Sequence, residues 1–285
     1  MGTDKIFPRA GSKQRGEIII PSAPLGVFDS GVGGLSVLEE IMHKLPHEDV
    51  IYLADTARVP YGGRSPEEIV KINQEIIPYL IKKGAKLIVI ACGTSSALAY
   101  PVLADDYPVA MVNVIDPGAR SAVAATHNGK IGVIATVGTI NSNAHRDRIT
   151  ALNPAAEVFA AACPLFVPLI EGGFIESDET RKVAKEYLKP LIEEGIDTLI
   201  LGCTHFPHLA KVIQSIVGEK VTLINPAEET VVDIKALLKK AGTLSPPTHQ
   251  AKYDYLVTGS PFQFEELGSR LLNKPIVGTK QVQLV

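Results

Sequence analysis

Two of the chain's three cysteines are each delivered by an apolar run into a cluster of small polar residues. One run reads Lys86-Leu-Ile-Val-Ile-Ala-Cys92-Gly-Thr-Ser-Ser96, the other Asp197-Thr-Leu-Ile-Leu-Gly-Cys203-Thr-His205. Each cysteine stands 8 residues after a glycine, Gly84 and Gly195. A thiol, with an ordinary pKa near ~8.5 that neighbouring donors or cations can lower, is suited to proton transfer near neutral pH. Two thiols on opposite faces of one carbon could take a proton from one side and return another to the opposite side, which inverts the centre. A lone cysteine is more often a small buried hydrophobe. Matched placement, each cysteine followed by threonine within two residues, favours chemistry. His205, two residues after Cys203, is placed to tune or relay a proton. Cys163, followed by Pro164 and without a cysteine counterpart, reads as structural, and His43, His47 and His208 read as ordinary. There is no C-x-x-C pair, and a zinc site would need the distant Cys92, Cys203 and His205, so no metal is expected.

The elements that must carry these residues form an α/β pattern. Leu25-Gly-Val-Phe28 reads as a strand, Asp29-Ser30-Gly31-Val32-Gly33-Gly34 as a tight turn, and Leu35, Leu38, Ile41 and Met42 as a helix face closed by Pro46. The glycines do not match G-x-G-x-x-G, since position 36 is serine, so a nucleotide cofactor is rejected. Val50–Leu53 is a second strand, leading into Ala54-Asp55-Thr56 and the loop Val59-Pro60-Tyr61-Gly62-Gly63. Ser65-Pro66-Glu67-Glu68 starts a helix with an N-cap, proline at N1 and glutamate at N3, and Pro78 is expected to kink or shorten it. Lys86–Ala91 is a near-continuous apolar strand, as expected when both sheet faces are covered. A strand over Val109–Val114 and a boundary at Asp116-Pro117-Gly118 close the first half.

The second half repeats the plan: Lys130–Thr136 as strand, Ala156–Ala162 as strand, a helix from Asp178 with internal Pro190 and a stop at Gly195, then Thr198–Gly202 delivering Cys203. Gly26 precedes Cys92 by 66 residues and Gly132 precedes Cys203 by 71. Two similar α/β units are implied rather than a solenoid. In open parallel sheets ligands bind beyond the carboxyl ends of strands, and both cysteines, Asp29, Tyr61, Thr136 and His205 fall at such ends. The expected fold class is therefore α/β, with two pseudo-twofold-related, doubly wound parallel domains and a cleft between them. The expected boundaries are 1–24 as a poorly ordered extension, 25–115 plus 226–285 as the first domain and 116–225 as the second.

Composition narrows the class. The 285 residues are 46% hydrophobic and 21% charged, with net charge −3, which leaves no electrostatic footprint for nucleic acid or an anionic membrane. No apolar segment approaches the ~18 residues that span a bilayer. Residues 1–20 carry Lys5, Arg9, Lys13 and Arg15 without the apolar core of a signal peptide, and three cysteines cannot form a disulfide framework, so a cytoplasmic protein is expected.

The motifs together resemble glutamate racemase, of the cofactor-independent amino-acid racemase superfamily. They are Gly26-Val-Phe-Asp29-Ser30-Gly-Val-Gly-Gly-Leu35, Ala54-Asp55-Thr56 through Pro60-Tyr61-Gly62, Ala91-Cys92-Gly-Thr94, Phe166-Val-Pro-Leu-Ile-Glu171 and Gly202-Cys203-Thr204-His205, in order over about residues 25 to 230. The resemblance implies two catalytic cysteines, Cys92 and Cys203, assisted by Asp29, Glu171 and His205, without pyridoxal phosphate or metal. It implies that Asp29, Ser30, Tyr61, Gly62, Gly93, Thr94, Thr204 and His205 hold glutamate as a small-molecule substrate, that the product feeds peptidoglycan synthesis, and that the enzyme is a homodimer. One departure stands out: the usual Cys-Asn-Thr is here Cys92-Gly93-Thr94. Glycine withdraws the amide's donors and acceptor, and a lost neutral hydrogen bond costs about 0.5–1.5 kcal/mol. An aspartate or hydantoin racemase stays open on that ground. A two-lobed binding protein without catalysis is the reading from another class.

Overall fold

The computed structural model describes residues 22–284; the expected disorder of the extension falls almost wholly outside them. The first half runs β1 (Leu25–Asp29), α1 (Leu35–Lys44), β2 (Val50–Ala54), α2 (Pro66–Lys82), β3 (Leu87–Ile90), α3 (Gly93–Leu98), α4 (Tyr100–Leu103), β4 (Met111–Asn113) and α5 (Ile115–Ala125). Then come β5 (Lys130–Ala135), α6 (Val137–Asn141), α7 (Ala144–Leu152), β6 (Glu157–Ala162), α8 (Phe166–Glu171), α9 (Asp178–Glu193) and β7 (Thr198–Leu201). A 3₁₀ turn (Phe206–Leu209), α10 (Ala210–Val217), β8 (Thr222–Ile224), α11 (Pro226–Ala241), β9 (Tyr253–Val257), α12 (Pro261–Leu272) and β10 (Lys280–Gln281) complete the chain. Among the described residues no helix is long and apolar enough to cross a membrane.

Two parallel sheets result, ordered β10-β9-β2-β1-β3-β4 and β6-β5-β7-β8. The run β2-β1-β3-β4 has the same order as β6-β5-β7-β8, so the sequence repeat is realised strand for strand. The C-terminal segment adds β9 and β10 to the first sheet. The inner strands β1, β2, β3 and β7 are buried throughout, on both faces, as their apolar runs require. Gly26 and Gly132 are equivalent in the repeat for a packing reason. A Cβ on Gly26 would lie 2.9 Å from Ala85 Cβ, and one on Gly132 would lie 2.6 Å from Ile196 Cδ1. Gly84 and Gly195, at φ +89° and +77°, end α2 and α9 in the left-handed region and aim the chain into β3 and β7.

Local expectations hold at α2, where Ser65 and Glu68 form a reciprocal capping box. Pro78 does not shorten α2: it and Pro190 leave α2 and α9 continuous over 17 and 16 residues. Both prolines lie on exposed faces one turn beyond the exposed Gln74 and Glu186, so the carbonyl each proline deprives of a partner can turn to water. Asp116–Gly118, expected as a loop boundary, instead form the first turns of α5. Asn113 Oδ1 accepts from the N–H groups of Ile115 (2.8 Å) and Asp116 (2.9 Å), which starts the helix and leaves Pro117 where its missing N–H costs nothing.

Candidate active site

β1, β3, β5 and β7 end at one cavity of about 420 Å³, the size of a small-ligand pocket. Its wall includes Cys92, Gly93 and Thr94 beyond β3, and Gly202, Cys203, Thr204 and His205 beyond β7. Ser30 and Gly31 enter from β1, Tyr61 and Gly62 from the loop after β2, and Thr136 from β5. Glu171, at the end of α8, completes the wall with Pro164, Val167 and Pro168. The two thiols therefore face one cavity from topologically equivalent strand ends of two sheets. Both are nearly enclosed, at 5% and 9% exposure. Cys163 is fully buried, outside the cavity wall, with its Sγ 3.7 Å from the Ala161 carbonyl.

The surroundings of the thiols differ. Burial and the Asp29 carboxylate push the Cys92 thiol up to about 12, so it carries its proton at neutral pH. At Cys203 the neighbour is cationic. His205 is 4% exposed, with Nδ1 3.9 Å from Cys203 Sγ and Nε2 2.9 Å from Glu171 Oε1. Burial alone would lower its pKa, but the sulfur, Glu171 and Asp29 outweigh that and raise it to about 10. The histidine expected from its sequence position to tune a proton transfer is thus an imidazolium lodged between a sulfur and a carboxylate.

Asp29 is placed differently from the other candidates. It is fully buried behind the wall, where its Oδ2 accepts from Gly31 N–H (2.9 Å) and Oδ1 faces Thr204 Oγ1 at 3.4 Å. Its pKa is raised by burial against the lowering pull of His205 and these hydrogen bonds. It therefore touches the cavity wall through the turn at Gly31 and through Thr204, and faces the charge of His205.

Sequence reasoning missed three supports. Asp55, fully buried, accepts from Tyr61 Oη (2.5 Å), Arg58 Nε (2.7 Å) and Thr258 Oγ1 (2.7 Å), which locks the Tyr61 loop to the C-terminal segment. Its place in Ala54-Asp55-Thr56 was the available signal. Arg270 on α12 donates to the Glu171 carbonyl, a contact 99 residues apart that no local pattern announces. His145, buried beside Gly202 with burial lowering its pKa to about 4, lies on a segment with no motif. Among the described residues no group of three or more His, Cys, Asp or Glu is arranged to hold a metal ion.

The profile of the Asp/Glu/hydantoin racemases matches residues 28–234, which takes in both thiols and every wall residue. The chain belongs to that family. Within it, the chain is similar to the glutamate racemase of Geobacter metallireducens, with 45% identity over 265 residues, 93% of this chain and 98% of that one. Among solved structures it is similar to the glutamate racemase of Bacillus anthracis, at 39% identity and a TM-score of 0.89, covering 92% and 98% of the two chains. It is also similar to the glutamate racemase of Francisella tularensis in complex with D-glutamate, at 37% identity and 0.87, covering 93% and 98%. Those similarities extend over the two-sheet architecture described above, so the family's two-domain fold is that of this chain.

Proposed function

We propose that this enzyme interconverts L- and D-glutamate by two-thiol proton transfer at Cα, supplying the D-enantiomer for peptidoglycan. The observation that carries the reading is the pair of buried thiols that line one cavity from equivalent strand ends of the two sheets, in a chain similar over most of its length to glutamate racemases. In one direction the Cys203 thiolate takes the Cα proton, and the electron pair of the broken C–H bond passes into the adjacent carboxylate system. Cys92, protonated at rest, then gives its proton to the other face of Cα, so the C–H bond re-forms inverted and the negative charge ends on Cys92. The other enantiomer runs the same steps in reverse. The His205 imidazolium balances the charge on the Cys203 side, held by Glu171. Ser30, the Tyr61–Gly62 loop, Gly93, Thr94 and Thr204 hold the substrate's polar groups, with Asp29 behind them. The domain division at 115 and 226, and assembly as a homodimer, belong to the same proposal.

The test is to incubate each enantiomer in D₂O and follow optical rotation and deuterium at Cα together. Two-base transfer puts deuterium into product well ahead of recovered substrate during early turnover. Cys92→Ala and Cys203→Ala each abolish racemisation, whereas Cys163→Ala retains it. Full activity in Cys203→Ala, or turnover of aspartate or a hydantoin with none of glutamate, would refute the assignment.

A further inference from the structure

Gly93 is the position where this chain departs from the residue its resemblance leads one to expect, and the structure gives the departure a physical meaning. Gly93 opens α3 directly after Cys92, and Gly202 directly precedes Cys203 on the facing wall. A Cβ built on residue 93 would lie 2.6 Å from the Gly202 carbonyl oxygen, 3.6 Å from its carbon and 3.9 Å from Cys203 Cα. All three are backbone atoms, so no rotamer change relieves the overlap.

The turn bearing Cys203 has no room to retreat. Gly202 N–H is bonded to the Ile134 carbonyl at 2.7 Å. A Cβ on Gly202 would itself meet that oxygen at 2.9 Å and His145 Nε2 at 3.0 Å. Relief therefore comes from parting the walls, against the contacts that join them. These are Gly138 N–H to the Gly62 carbonyl (2.8 Å), Thr94 to Thr136 (3.0 Å) and Ser36 Oγ to the Thr204 carbonyl (3.0 Å).

We propose that Gly93 is a positioning residue that sets the separation of the two thiols by letting α3 close against the Gly202 carbonyl, so that in this chain asparagine at this position lowers turnover instead of supplying a useful amide. The inference rests on the two-thiol reading. Ordinary contact begins near 3.4 Å, so any side chain at 93 displaces the walls by about 0.8 Å. Misplacement of reacting groups by about 1 Å costs up to 10²-fold in rate, which sets the expected loss of kcat at about 10- to 100-fold.

The experiment compares wild type with Gly93→Ala and Gly93→Asn. Both variants lose kcat to a similar extent, because the Cβ common to both is the obstacle. In D₂O, deuterium in recovered substrate rises relative to product, since a proton taken by one thiol exchanges and returns from the same side before the distant thiol can act. A loss of folded protein alone would lower the rate and leave that ratio unchanged. Dibromobimane, which fluoresces on bridging two adjacent thiols, reads the separation without turnover in a Cys163→Ala background: Cys92 and Cys203 are bridged when Gly93 is retained and bridged poorly once Gly93→Asn is added. Equal or higher kcat in Gly93→Asn, an unchanged deuterium ratio, or undiminished bridging overturns the proposal. A wild type inert toward glutamate overturns the functional reading instead, and the bridging comparison still decides the role of Gly93.

Discussion

Replacing Glu171 by glutamine isolates the charge that holds His205 cationic. The wild-type contact is Nε2 to Oε1 at 2.9 Å, with the imidazole side chain 5% exposed and the carboxylate 36% exposed. A hydrogen bond to a charged partner contributes about 1.5–3 kcal/mol, and solvent screening at a carboxylate this exposed reduces that to about 1–2 kcal/mol. One pKa unit corresponds to about 1.4 kcal/mol, so the His205 pKa, raised to about 10, should drop by about one unit. The sign follows from the cation's role. The imidazolium is present below its pKa and is lost as pH rises through it, so the basic limb of kcat/KM should move down by about one unit in Glu171→Gln. Cys92 does not interfere, because its thiol gives up its proton only near about 12. At neutral pH the weaker charge balance should lower kcat/KM by about 5- to 30-fold. Mirror-image substrates have equal free energies, so kcat/KM must fall by the same factor for both, while kcat and KM can shift unequally. Polarimetry from each enantiomer between pH 6 and 11 makes the measurement. A basic limb that does not move would refute the assignment of charge to His205.

Two further outcomes follow from supports outside the cavity. Glu48 and Lys86 form an ion pair at 2.6 Å with side chains 1% and 0% exposed, so Glu48→Ala should cost about 3–5 kcal/mol in urea unfolding; a loss below about 1 kcal/mol would show that the ammonium is satisfied by other groups. Asp55→Asn should loosen the Tyr61 loop, raising KM for glutamate about tenfold with kcat within about twofold, and Thr258→Val should do the same by about 2- to 10-fold, the worth of one hydrogen bond. Steady-state kinetics checks both, and unchanged KM in both variants would separate Asp55 from substrate binding.

Much of the fold is legible because it is written twice. Gly84, Ala85, Ile88 and Cys92 recur as Gly195, Ile196, Leu199 and Cys203 at a constant offset of 111 residues, and the structure shows why each member of the set is needed. The glycine ends a helix in the left-handed region, the next residue and Ile88 or Leu199 pack over Gly26 or Gly132, and the cysteine leaves the strand into the cavity. Misreadings arose where a residue's effect depends on which face it occupies, as with the shortening expected at Pro78, or on a side chain that overrides a loop-like string, as with Asn113 before Asp116-Pro117-Gly118. Contacts across the cavity were out of reach for a different reason. Spacing along one strand carries no information about how closely a facing turn approaches, so neither Gly93 against Gly202 nor Gly33, whose Cβ would sit 2.4 Å from His205 Nδ1, could be read as more than a flexible or missing side chain.

The repeat also explains what the two halves need not share. Asp55 and Cys163 occupy equivalent positions after β2 and β6, with N–H groups bonded to the carbonyls of Asp29 (3.0 Å) and Ala135 (2.9 Å), yet one anchors a wall loop and the other fills the core. Likewise Cys92 faces the negative Asp29 while Cys203 faces the positive His205. In the proposed reaction, matched strand ends put a thiol on each side of one carbon. Matched surroundings are not required, since the equilibrium between enantiomers is fixed by the mirror symmetry of the substrates and not by the protein. Each half of the scaffold is therefore free to surround its thiol differently, with an anion beside the protonated Cys92 and a cation beside Cys203.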